Sequence, residues 1–161
     1  MISANTFIHA ALGFMACMTA FAARADGLPN NAFGAVLQED IQWAPFAGFP
    51  AQSRLTVLVG DPKKPEPYVV RVKVPAGVQL MPHTHPEDRI YTVISGVFYI
   101  GLGTRFDESK LVAYAPGSVV VLPAHTPHFH RARSGEYVTQ VTGHGPLGID
   151  YVDANQDPRN R

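Results

Sequence analysis

The chain has 161 residues, enough for one domain with its own core. Thirteen Lys+Arg balance thirteen Asp+Glu, with no basic patch and no run of like charge. That distribution excludes a surface built to hold nucleic acid or an anionic membrane.

The first segment reads as a targeting sequence. Residues 7–22 are apolar apart from His9 and Thr19, and Ala23-Arg24-Ala25 then supplies an A-x-A cleavage site before Asp26. No Lys or Arg precedes the apolar run, so only the α-amino group supplies positive charge there. A transmembrane anchor is the alternative, but the run is short of the ~20 residues a span needs. Cys17 follows Phe14-Met15-Ala16, a poor match to a lipid-attachment site. The expectation is a signal peptide over residues 1–25, a mature domain over 26–161, and a periplasmic or secreted protein. Cysteine usage agrees, because the single cysteine lies inside the segment to be removed. Losing Arg24 leaves 13 − 1 = 12 basic residues against 13 acidic ones, a formal charge of −1.

Residues 26–31 form a polar lead-in, expected to be loosely ordered. Trp43 and Phe46 fall in a stretch mixing aromatics and prolines, and are expected to cover one end of the fold. Residues 54–59 alternate as a strand and end at the turn signal Gly60-Asp61-Pro62, before the proline-rich connector 63–67. Short strands follow at 68–74, 80–85, 90–94, 97–102, 111–115, 118–122, 128–132 and 137–142, with a last edge strand at 149–152. Two turns, at Ser95-Gly96 and Pro116-Gly117, read as tight hairpins. The stretch 101–111 reads as a hairpin end carrying one helical turn, and 153–161 as a polar, peripheral tail. No run of ten or more residues in the mature chain shows helical periodicity. Short strands with Gly/Pro turns at regular spacing predict an all-β sandwich or barrel.

The chemistry concentrates in residues 77–96, GVQLMPHTHPEDRIYTVISG. His83 and His85 are two apart, so an extended chain sends both imidazoles to one face. Neutral imidazole suits divalent Zn, Cu, Fe and Ni. A third donor must come from elsewhere, and residues 117–128 again read strand, turn, histidine, ending at His128.

Here the sequence resembles the cupins. Their first motif runs G, five residues, HxH, three or four residues, E, six residues, G. Gly77, His83, His85 and Gly96 fall at those places, while Arg89 stands where the glutamate is expected. The second motif runs G, five residues, PxG, two residues, H, three residues, N. Gly117, Pro123 and His128 match it, whereas His125 replaces the glycine and Ala132 the asparagine. The resemblance covers roughly residues 68–142. It implies a single cupin domain, a double-stranded β-helix or jelly-roll barrel with its core at about residues 54–152. It also implies one divalent transition metal (Fe, Zn, Mn, Ni or Cu) on His83, His85 and His128, and a homodimer paired through edge strands.

The other histidines have blander readings. His125 occupies a turn and is expected at the surface, and His144, between two glycines, either closes over the barrel mouth or lies at the surface. His130, two residues after His128, faces the same side if the strand is regular. It is then a neighbouring polar group or a fourth ligand in place of the missing carboxylate. Arg89 cannot ligate a metal, so it either borders the site or faces solvent, or pairs with Glu87 or Asp88. Three neutral histidines would leave positions open for water, O₂ or a chelating substrate.

Two functional readings result. In the first, an exported metal-dependent enzyme acts on a small polar molecule held in the barrel, and the resemblance implies the dioxygenase type, since three-histidine sites occur among cupin-like dioxygenases. Arg89 and His130 are its candidate catalytic groups; Tyr91 and Tyr99 are alternatives better explained by packing. In the second, a non-catalytic cupin binds a metal or small ligand, as a sensor does. Neither involves nucleic acid, nor a membrane once the leader is removed.

Overall fold

A computed structural model of the chain describes residues 27–161; the expected signal peptide and Asp26 lie outside the described residues. Ten strands follow in order: β1 (Arg54–Val59), β2 (Pro67–Val74), β3 (Gln79–Thr84), β4 (Arg89–Ser95), β5 (Phe98–Leu102), β6 (Val112–Tyr114), β7 (Val119–Leu122), β8 (His128–Arg131), β9 (Tyr137–His144) and β10 (Asp150–Tyr151). Helical backbone among the described residues is confined to short 3-10 turns. One is the turn expected between β5 and β6, Glu108–Lys110, which Asp107 caps by accepting from the Ser109 N–H.

The strands form two five-stranded antiparallel sheets, β1-β2-β9-β4-β7 and β10-β3-β8-β5-β6. Alternation decides which side chains meet between them. In β2, Tyr68, Val70, Val72 and Val74 are buried while their neighbours are partly or fully exposed. They pack with Tyr91, Val93, Val141, Leu80, Phe98 and Ile100 into one core, the arrangement of a jelly roll.

Chain order and sheet order diverge at two predicted turns. Ser95-Gly96 and Pro116-Gly117 are not hairpins, because β4 and β7 lie in one sheet and β5 and β6 in the other. Each turn carries the chain across the sandwich. Gly96 makes its crossing possible: its φ is +69°, and a Cβ there would lie 2.1 Å from the Glu136 carbonyl oxygen. The hairpins that do form are β1–β2 and β5–β6.

The periphery is better anchored than its composition predicts. Leu28 bridges to Val59, donating its N–H to Leu58 and accepting from Gly60, so this part of the lead-in is hydrogen-bonded onto β1. The tail is tied down as well. Arg159 donates to the Asp157 carboxylate and to the Ile149 carbonyl at 3.0 Å. Phe46 packs against the core and edge-on to Phe49, whereas Trp43 lies under the Lys73 ammonium at 4.4 Å.

Candidate metal centre

His83 and His128 face each other directly across β3 and β8, with ring centroids 4.2 Å apart. A bulge between Leu80 and His83 shifts the register, so that Leu80 and then both His83 and His85 point inward. His85, just past the end of β3, completes the group at 5.0 Å from both other rings. One ring nitrogen of each histidine lies within 4.8 Å of those of the other two, and all three side chains are buried.

The hydrogen bonds orient these rings toward one another. Nδ1 of His83 lies 2.7 Å from the Met81 carbonyl, Nδ1 of His85 2.7 Å from Gly148 and Nδ1 of His128 2.9 Å from Thr126. A carbonyl can only accept, so each Nδ1 carries the proton and donates it. Each Nε2 is thereby left as a lone pair. Among the described residues, Nε2 of His83 and of His128 has no partner, and that of His85 has only the Tyr91 hydroxyl at 3.4 Å. Buried acceptors converging without donors match what a divalent cation requires. The residues present fit a metal of the nitrogen-preferring class.

Electrostatics keep the donors neutral. Burial pushes His83 and His85 well below the ordinary imidazole range, with Arg89 and neighbouring histidines adding to the effect. His128 is lowered to about 4, chiefly by burial. All three folded values lie below the unfolded one, so below about pH 6.5 the unfolded chain binds more protons and stability falls with pH. The metal-free protein should therefore lose up to ~1.4 kcal/mol per pH unit for each such histidine on acidification. Urea midpoints of metal-free protein between about pH 7.5 and about pH 5 check this, and a flat profile would contradict it.

Arg89 enters from the opposite sheet, at the start of β4. It neither ligates nor faces solvent. The side chain is buried; Nε and Nη2 donate to one oxygen of Glu87, the former at 2.9 Å, and Nη2 donates to the Gly148 carbonyl at 2.8 Å. Tyr68 donates to the same Glu87 oxygen at 2.9 Å. Tyr68, Gly143 and Arg89 form one row across β2, β9 and β4. Gly143 leaves room for the phenol, since a Cβ there would lie 2.6 Å from the Tyr68 hydroxyl. Gly148 links the two halves of the site, its carbonyl receiving both Arg89 and His85. Burial works against the Arg89 charge, but Tyr91, Tyr68 and Glu87 hold its pKa above the usual value.

Arg89, Tyr91, His83, His85 and His130 border one small cavity with Phe49, Leu80 and Thr139; its volume is about 10 Å³, room for one water-sized group. His130 is buried on β8, its ring edge-on to Phe98 at 4.8 Å. Asp88 instead caps the 123–127 turn, accepting from the Ala124 N–H. His125 is exposed in that turn at φ +59°, and His144 is exposed at the end of β9.

Phe49, Tyr68 and Gly148 were not singled out from sequence. Tyr68 carries an alternation signal, as the first inward residue of β2. A backbone carbonyl such as that of Gly148 carries none.

Solved structures share this architecture. One is the polyketide cyclase RemF from Streptomyces resistomycificus, 16% identical, aligned over 80% of this chain and 92% of that one with a TM-score of 0.64. Another is a cupin 2 conserved barrel domain protein from Rhodopseudomonas palustris, 17% identical over 72% and 80% of the two chains, TM-score 0.56. The chain has the cupin fold. A third similar structure is the DMSP lyase DddQ from Ruegeria pomeroyi, 20% identical over 69% of this chain, TM-score 0.55. The aligned region spans 60% of that lyase. No protein-family model and no curated protein matches the sequence. At these identities the likeness establishes the fold alone, and the chemistry of the site rests on this chain's own histidines.

Proposed function

We propose that this cupin is an exported metal-dependent enzyme of the dioxygenase type, holding one divalent transition metal on His83, His85 and His128. The observation that carries the reading is the set of three buried imidazoles whose Nδ1 protons are all taken by carbonyls. Three neutral donors preserve the cation's charge and leave coordination positions open, as catalytic sites require. When bound, the metal would act as a Lewis acid or, as ferrous iron, as a redox centre for O₂.

The chain's own residues supply the surroundings. The Tyr91 hydroxyl lies 3.4 Å from His85 Nε2, where it can hold or pass a proton beside the open side of the site. Arg89 contributes a fixed positive wall, largely neutralised by Glu87, which favours a polar substrate over a strongly anionic one. Phe49 and Leu80 give the small space between an apolar lining. Solved cupins similar to this chain include a polyketide cyclase and DMSP lyases, which supports an enzyme as the working assumption.

The size of the cavity favours a second reading, a cupin that holds its metal without turnover. Purification under anaerobic conditions, followed by elemental analysis and nitric oxide binding, separates the two. Ferrous iron that forms a nitrosyl adduct supports the enzyme. Zinc that resists a chelator and leaves no open position supports the binding protein.

Export rests on the apolar segment before Ala23-Arg24-Ala25. N-terminal sequencing of the exported protein should begin at Asp26; a soluble cytoplasmic form retaining Met1 would overturn both cleavage and compartment.

A further inference from the structure

We infer that His130 is a fourth metal ligand, so that four histidines, with no carboxylate, hold the ion. The inference rests on the three-histidine reading and extends it.

His130 is 4% exposed, and its Nε2 has no hydrogen-bond partner among the described residues. Among buried histidine nitrogens of the described residues, the same is true only of Nε2 in His83 and His128. Its ring centroid lies 4.9 Å from His128 and 5.4 Å from His83, close to the spacings within the trio. It also borders the same cavity as His83 and His85. The far nitrogen is already engaged, with Nδ1 3.4 Å from the Tyr137 hydroxyl. With its proton on Nδ1, donated to that oxygen, Nε2 becomes a free lone pair like the other three.

Packing does not account for the residue. Phe98 and Tyr91 surround the ring edge-on, an environment that an apolar side chain would fill without burying an unpartnered nitrogen. The tight nitrogen cluster comprises His83, His85 and His128, and His130 borders the same water-sized cavity as His83 and His85, into which its ring must advance to join them. This also accounts for Arg89. With a fourth donor from β8, the position that carries glutamate in the cupin motif is freed to pair with Glu87.

Cobalt(II) alone is the probe, titrated into metal-free wild type, His130→Phe, His130→Gln and His83→Ala. Proton NMR counts the paramagnetically shifted, exchangeable Nδ1–H signals, one for each coordinated imidazole. Four such signals are expected in wild type and three in His130→Phe, with affinity lowered roughly tenfold or more. Three signals in wild type would overturn the fourth ligand while leaving the trio intact. So would a His130→Phe protein binding cobalt as tightly as wild type. No binding by wild type would overturn the three-histidine reading itself. The wild-type count does not depend on any variant folding, and His130→Gln tests affinity with a polar replacement should the phenylalanine disturb the core.

Discussion

Replacing any one of His83, His85 or His128 by alanine is expected to lower metal affinity by at least ~100-fold, beyond the usual cost of losing a supporting group around a site. His83 and His128 are cross-strand partners on β3 and β8, so losing either removes half of the pair that faces across the sheet. His85 should be equally sensitive, because its Nδ1 is locked to the Gly148 carbonyl and its Nε2 cannot be supplied by a neighbour. His125→Ala and His144→Ala should leave affinity unchanged, since both side chains are exposed. Competition against a chromogenic chelator measures all five variants. Full affinity in His128→Ala would show that the second motif contributes nothing to the site.

The second large effect belongs to Arg89 and Glu87. Their side chains are 3% and 8% exposed, so this ion pair has little access to water. Removing one partner strands the other charge in the interior, a loss of ~3–5 kcal/mol. Arg89→Met should therefore destabilise strongly, and the Arg89→Met/Glu87→Gln double variant should recover much of the loss. Denaturant unfolding of the two single variants and the double variant at neutral pH gives the coupling energy. If Arg89→Met costs under ~1 kcal/mol, the pair is not the structural hub described above. Position alone invites a different substitution, Arg89→Glu, to restore the cupin glutamate and raise affinity for hard cations. The structure changes that expectation. A glutamate at 89 would stand beside the buried Glu87 carboxylate and lose the bond to Gly148. Instability should precede any gain in binding.

These two sites differ in how far they could be read in advance. The His83/His85 pair rests on local geometry, because alternation along an extended chain places residues two apart on one side, whereas His128 reaches them only through the pairing of β8 with β3. The ion pair was one of several options, since Arg89 could border the site, face solvent, or pair with Glu87 or Asp88. Burial selected one, as an unpaired charge there would be costly.

By itself the sequence determined the strands and an all-β sandwich or barrel, through alternation and Gly/Pro punctuation, while the jelly roll and the set of three histidines came with the resemblance of its two motifs to the cupins. The strands depend on periodicity over a few residues, which the backbone enforces locally. Only the tertiary structure decided that Ser95-Gly96 and Pro116-Gly117 cross between sheets, because a tight turn has the same composition whether its strands pair or part. It alone brought Phe49 and Leu80 to the cavity and placed the Gly148 carbonyl between His85 and Arg89. Contacts across 59 and 63 residues of chain are set by how the two sheets close on each other. No local pattern encodes where a backbone carbonyl will stand once they have.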